Sequence, residues 1–431
     1  MSTSRRSLFR ATGMVAAAGA ISATALDAQA DQPADHTRAT TNEVVAGADV
    51  AAGGGWQIFQ GRRVGIITNP TGVLSNFTSI VDDMVAQGVD VGGVFGPEHG
   101  FRGTAQAGSS EPKSVDPRTG VTVYDAYGAN ASKFAGFFAD AGVDVVVFDI
   151  QDVGARFYTY IWTMWSAMQA ASSAGVEFVV LDRPNPLGGR ARGPVLKPGF
   201  ASGVGQLEIA QQHGMTVGEL ALYFNATFMT RSGVTPLPNI EVVQVQGWTR
   251  GMHIEDLAAR WVMPSPNMPT PWTAAIYPGT GMFEATNMSE GRGTTRPFEL
   301  IGAPYGDYRW AHALNQVGLA GVDFREAYFT PTFSKNQGKV CGGVQVHLVN
   351  PSDVDAPAVA THMLVTARDL YEGFGWRGDG GRWIDLLTGS DRFRTQFDAG
   401  ASATEIISGW QRDLRRFVID TQRFLLYRGP R

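Results

Sequence analysis

From Val64 onward, short apolar runs alternate with longer stretches in which apolar residues return every three or four positions. Val64-Gly65-Ile66-Ile67-Thr68, Val89 to Phe95, Val143 to Phe148 and Phe178-Val179-Val180-Leu181 are continuous apolar runs of strand length. Between them, Ile80, Val81, Met84 and Val85, then Phe134 to Ala141, then Tyr160 to Ala174 carry helical spacing. Strands without a polar face need cover on both sides, so this rhythm predicts an α/β fold with a mostly parallel, Rossmann-like sheet. Between Met263 and Pro304 the pattern fades into Pro, Gly, Thr and Asn. Pro264 to Thr270 must be extended or turned, because each proline disfavours helix for the residue before it. Trp272, Tyr277, Phe283 and Phe298 speak against disorder there, which leaves a long functional loop. Beyond it, Val340 to Val349 reads as a strand, and Ala358 to Phe374 and Thr404 to Tyr427 read as helices. The predicted layout is a Rossmann-like domain over residues 47–263 and a smaller α/β domain over 264–431.

The N-terminus follows a different pattern. Arg5-Arg6 precede a mild, Ala-rich apolar stretch from Ala11 to Ala25, and Ala28-Gln29-Ala30 offers a small-x-small cleavage site. Residues 1–30 therefore read as a twin-arginine export signal, and residues 31–46 as a flexible leader of a soluble, extracytoplasmic protein. No later apolar run is long enough for a stable membrane span. A net charge of −5 argues against nucleic acid as a partner, and a single cysteine, Cys341, excludes an internal disulfide or a thiolate metal cluster.

The polar residues of the first half collect just after the strands: Asn69, Glu98 with His99, Asp149 to Asp152, then Asp182 and Asn185. In an open α/β sheet ligands bind at that edge. Asp182, in a Pro-rich turn, reads as structural. The first strand runs into Asn69-Pro70-Thr71-Gly72 and lacks the glycine fingerprint of a dinucleotide site. There is no G-x-S-x-G serine elbow and no H-E-x-x-H zinc motif, and Cys341 sits in a predicted strand as core. The sequence calls for no cofactor and no metal. What remains is carboxylates, arginines and aromatics.

Three stretches concentrate them. In Gly96-Pro97-Glu98-His99-Gly100-Phe101-Arg102-Gly103, Glu98 is a candidate general acid if Pro97 and Phe101 shield it, and a structural ion-pair partner if Arg102 meets it; both readings stay open. Gln151-Asp152-Val153-Gly154-Ala155-Arg156-Phe157-Tyr158 combines an amide, a carboxylate, a guanidinium and aromatic faces, a mixture suited to a sugar, or alternatively a helix cap with Arg156 paired to Asp152. Glu284 to Glu299 alternates acids with arginines through glycines and can hold an anion with arginine forks.

These stretches, with Asp182 to Gly189, His213-Gly214-Met215-Thr216, Pro264 to Thr270, Tyr328 to Lys335 and Cys341 to Gln345, resemble the exo-β-N-acetylmuramidase family over nearly all of the chain beyond residue 46. The resemblance implies an active site in the cleft between the two domains. It also implies release of terminal β-1,4-linked N-acetylmuramic acid (MurNAc) from the non-reducing ends of peptidoglycan fragments such as MurNAc-GlcNAc, and a catalytic glutamate at Glu98. Asp152 or Glu290 would then act as base or stabilise an oxocarbenium-like transition state, unless the substrate's own N-acetyl group does so. The lactyl carboxylate that distinguishes muramic acid from glucosamine calls for an arginine fork, with Arg156, Arg292 and Arg296 as candidates. Asn69, His99, Arg102, Gln151, Tyr158, His213, Asn267 and Asn287 complete the candidate substrate contacts. Gln212 stands where an arginine is expected before His213, which puts the carboxylate preference in question. A non-catalytic wall-binding protein using the same cleft and a cofactor-dependent oxidoreductase are the rival readings.

Overall fold

A computed structural model describes residues 44–106, 108–253 and 261–430. The export signal read over residues 1–30, and all but the last three residues of the leader, lie outside the described residues. The chain begins with α1 (Gly47–Gly53), β1 (Val64–Thr68), α2 (Ile80–Ala86), β2 (Val91–Gly96), β3 (Ser114–Val115), β4 (Thr122–Asp125), α3 (Ala131–Ala141), β5 (Val145–Asp149), α4 (Tyr160–Ala174) and β6 (Glu177–Leu181). It continues through β7 (Arg192–Val195), β8 (Ala210–Gln212), α5 (Val217–Phe228), β9 (Ile240–Val243) and α6 (Pro271–Thr280). The remainder comprises β10 (Leu300–Ala303), α7 (Arg309–Val317), β11 (Val322–Phe329), β12 (Cys341–Leu348), α8 (Ala356–Leu370), α9 (Arg382–Thr388), α10 (Arg392–Asp398) and α11 (Ala403–Thr421).

The main sheet has the order β3-β4-β2-β1-β5-β6-β9 and is parallel except for the edge strand β3. Its central strands β1, β5 and β6 are buried on both faces, and the alternation of their side chains divides the core. Ile66, Val145, Val147 and Val179 join Ile80, Val81 and Met84 of α2 on one side. Ile67, Val146, Phe148 and Val180 join Phe134, Phe138 and the apolar residues of α4 on the other. This second cluster runs on without a break to Ile301 of β10, Val344 of β12 and Met363 of α8. There a three-stranded antiparallel sheet, β10-β12-β11, lies among the C-terminal helices, and Cys341 is buried in β12 as expected of a core residue.

Two expectations need correction. The proline-rich segment holds a helix, α6, which the loss of apolar periodicity hid. Thr270 caps it by accepting from the Thr273 amide, and Pro271 sits in the first turn, where a missing N–H costs nothing. The last helix ends at Thr421 and does not reach Tyr427. Beyond it, buried acids of the first half draw the chain back: the Leu426 amide donates to Glu219 (2.8 Å) and the Tyr427 hydroxyl to Asp182 (2.6 Å). Asp182 also accepts from the Thr216 hydroxyl and the Gly218 amide, so it ties β6, the start of α5 and the C-terminal segment together. The structural reading of Asp182 holds.

Candidate active site

A cleft of about 1530 Å³ opens over the carboxyl ends of β2, β4 and β5. Glu98 and His99 follow β2, Tyr127 to Asn130 follow β4, and Phe157 to Thr163 lead from β5 into α4. The facing wall comes from Ser265, Asn267 and Tyr277, the Glu284–Phe298 loop, the β11–β12 connection at Phe333 to Lys335, and Arg377 with Trp383.

Glu98 owes its place to a tight turn. Gly100 has φ +83 and stands where a Cβ would strike the Glu111 side chain, and His99 is itself left-handed at φ +72. The His99 ring is fixed by an Nδ1 hydrogen bond to the Ala105 carbonyl (2.9 Å). Glu98 is half-buried, and its two oxygens accept from the Gly108 amide and the Thr159 hydroxyl, each at 2.8 Å. Arg102 does not meet it. That arginine stacks on Phe101 (4.2 Å) and pairs with Asp116 (2.9 Å) and Asp82 (3.4 Å), outside the cleft, which overturns the ion-pair reading of Glu98 and removes Arg102 from the substrate contacts.

The other acids of the cleft are neutralised in place. Arg292 bridges Glu284 (2.8 Å) and Glu290 (3.3 Å), and Lys335 reaches Glu290 at 2.9 Å. Lys335 also donates to the carbonyls of Phe283 (2.6 Å) and Thr286 (2.9 Å), and it is flanked by left-handed Ser334 and Asn336 (φ 68 and 58) that turn it inward. Burial pulls its ammonium below the ordinary lysine value even with Glu290 beside it. Burial pulls Arg292 down as well, but Glu284, Tyr277 and Glu290 more than offset it and hold the guanidinium above its usual value. Between these charges runs an edge-to-face chain of aromatic rings: Tyr158 on Tyr277 (5.8 Å) and Tyr277 on Phe298 (4.7 Å). Burial raises the Tyr158 and Tyr277 hydroxyls well above 10, so both are neutral at ordinary pH.

Of the sequence candidates, Glu98, His99, Tyr158, Asn267, Glu290 and Arg292 line this cleft together. The others do not line it, each for a visible reason. Arg156 is completely buried and donates to the carbonyls of Pro194, Ile209 and Leu387, with burial pulling it down to about 9, so it cannot fork a substrate anion. Asp152 and His213 form a buried pair: His213 Nδ1 accepts from the Met215 amide, so Nε2 carries the proton and donates to Asp152 (3.0 Å). Asp152 also accepts from the Gly154 amide (2.7 Å) through the same oxygen and closes a turn behind the cleft wall, so it does not line the cleft.

Gln151 bridges the carbonyls of Asp152 and Pro184, and Asn69 braces Thr71 and the Pro264 carbonyl. Arg296 is half-exposed and pairs with Glu299 (3.1 Å). Asn287 accepts from the Tyr305 hydroxyl (2.6 Å) and donates to the Gly373 carbonyl (2.7 Å), a strut between loops. Gln212 donates to the Arg190 carbonyl away from the cleft, so its departure from the family pattern does not bear on the cleft wall directly. Sequence reasoning missed Lys335, Tyr277, Arg377 and Trp383 as site residues. Lys335 ends one of the motifs that carried the resemblance, and that was its only signal.

Fold and cleft together describe an α/β protein with a large, aromatic-walled site at the strand ends. Family models for exo-β-N-acetylmuramidases match residues 64–272 (N-terminal part) and 275–427 (C-terminal part). The chain belongs to the exo-β-N-acetylmuramidase family, and it is a glycosidase by that membership. It is 44% identical over 372 residues to a protein of Bacillus subtilis (strain 168) named peptidoglycan β-N-acetylmuramidase, covering 85% of this chain and 87% of that one. Two crystal structures of DUF1343 family proteins from Bacteroides fragilis NCTC 9343 share the fold. They superpose with TM-scores of 0.80 and 0.69 at 32% and 30% identity, each over 90% of this chain and 99% of the other. Membership in a glycosidase family weighs against the binding-only reading.

Proposed function

We propose that this chain removes terminal β-linked N-acetylmuramic acid from the non-reducing ends of peptidoglycan fragments, with Glu98 as the acid that protonates the leaving oxygen. The observation that carries the assignment is that Glu98, among the described carboxylates lining the cleft, is the one without an ion-pair partner, while Glu284 and Glu290 are each tied to a cation. A carboxyl that must hold and deliver a proton works best away from fixed cations, which would favour its ionised form. Glu290, paired with Arg292 and Lys335, suits the second role, stabilising positive charge at the anomeric carbon, unless the substrate's N-acetyl group takes that part. The aromatic chain of Tyr158, Tyr277 and Phe298 offers ring surface for the sugar's apolar face.

Purified protein lacking residues 1–30 should release chromophore from an aryl β-N-acetylmuramide and leave the matching N-acetylglucosaminide intact. Equal release from both would refute the muramic-acid specificity, and release from neither would refute the activity. The substrate lies outside the cytoplasm, in keeping with export through the Arg5-Arg6 signal. Changing both arginines to lysine should leave the precursor unprocessed inside the cell, as fractionation and immunoblotting would reveal; normal processing would reject the twin-arginine route.

A further inference from the structure

Among the described residues, six charged side chains line the cleft: Glu98, Glu284, Glu290, Arg292, Lys335 and Arg377. Glu284, Glu290, Arg292 and Lys335 cancel within one network, which removes Arg292 as a ready partner for an incoming anion. Arg296 and Arg156, the other sequence candidates, are outside the cleft. Arg377 remains.

Its backbone is firmly placed. Residues 375–377 run beside 285–287, with the Asn287 amide donating to the Gly375 carbonyl (2.9 Å) and the Arg377 amide to the Ala285 carbonyl (2.8 Å). Asn287 braces the same stretch through its side chain, donating to Gly373. The guanidinium, by contrast, is weakly held. The nearest carboxylate, Asp379, stands at 3.8 Å, beyond hydrogen-bond reach, and its oxygens already accept from the Gly381 and Trp383 amides. The Arg377 side chain is 49% exposed and lies 5.1 Å above the Trp383 ring, a flat support that orients the fork without using its donors. The indole N–H of Trp383 is a further donor without a protein partner.

We infer that Arg377, supported by Trp383, receives the carboxylate of the substrate and so distinguishes an N-acetylmuramide from an N-acetylglucosaminide. Among the described residues of the cleft, Arg377 is the cation with unused donors, while Arg292 and Lys335 are taken up by Glu284 and Glu290, and such a cation is what a monoanionic sugar requires. The inference rests on the proposed hydrolysis. Its test compares kcat/KM for an aryl β-N-acetylmuramide and for its lactyl methyl ester, which keeps sugar and leaving group but lacks the charge.

The parent protein should favour the acid over the ester by roughly 10- to 100-fold, the span of a charge-assisted hydrogen bond. Arg377→Ala should bring that ratio close to one, mainly through KM for the acid, and Arg377→Lys should restore part of it. A merely structural arginine would depress both substrates alike and leave the ratio unchanged, and that result overturns the assignment. A parent that cleaves acid and ester equally well overturns carboxylate recognition while sparing the hydrolase reading. A parent that cleaves neither overturns both.

Discussion

A Glu98→Gln variant is expected to fold like the parent and to lose about 10²- to 10⁴-fold in turnover, the usual contribution of a positioned general acid. The substitution suits the site: the Gln oxygen can still accept from the Gly108 amide, and the Thr159 hydroxyl can rotate to accept from the new NH₂ group. What is lost is the transferable proton. The size of the loss should therefore depend on the leaving group. A nitrophenol leaves readily without protonation, whereas a sugar alkoxide does not, so the natural disaccharide should suffer far more than the activated aryl muramide. Were Glu98 instead the nucleophile of a retaining mechanism, bond formation itself would be removed and both substrates would fall together. Steady-state kinetics on the two substrates, with thermal melts to confirm folding, separate these outcomes; near-parent rates on the disaccharide would refute any role for Glu98 in the chemistry.

Why Glu98 was legible in the sequence and Arg377 was not is a matter of contact range. A parallel strand buried on both faces must be apolar throughout, so β1, β2, β5 and β6 announce themselves, and the polar residues after them are placed at the sheet edge by topology. That rule brought Glu98 and His99 to the cleft, but it pointed equally to Asn69, Asp152 and Asn185, which do not line it, and it was the family resemblance that singled out Glu98. Arg156 stood in an equally suggestive motif, yet its fate was decided by the carbonyls of Pro194, Ile209 and Leu387, up to 231 residues away. No local pattern foretells that convergence. His213 and Asp152 were likewise drawn inward by each other across 61 residues. Arg377 and Lys335 lie in connections of the C-terminal part, where neither periodicity nor a strand end marks a residue as facing the cleft.

The second large effect concerns stability. Arg250 and Glu219 are both completely buried, with two contacts at 2.6 and 2.8 Å, and Arg250 also donates to the Gly214 carbonyl. Glu219 carries more than this pair: it closes the capping box at the start of α5 with Thr216 and accepts from the Leu426 amide. Arg250→Met would keep much of the volume but strand an ionised carboxylate in the interior, an error of about 3–5 kcal/mol.

In a chain of this size that should lower the melting temperature by several degrees and, because the Leu426 contact shares the stranded carboxylate, speed proteolytic trimming of the C-terminal segment. Glu219→Gln added to Arg250→Met removes the stranded charge and should return part of the loss. If the double variant proves no more stable than Arg250→Met, the cost lies in lost packing and in the Gly214 contact, and the buried charge is not what Arg250 compensates. Catalytic constants below the transition should change little in either case, since neither residue lines the cleft. The pair joins the C-terminal segment to the first half of the chain, so the same measurement reports how strongly the protein depends on that closure.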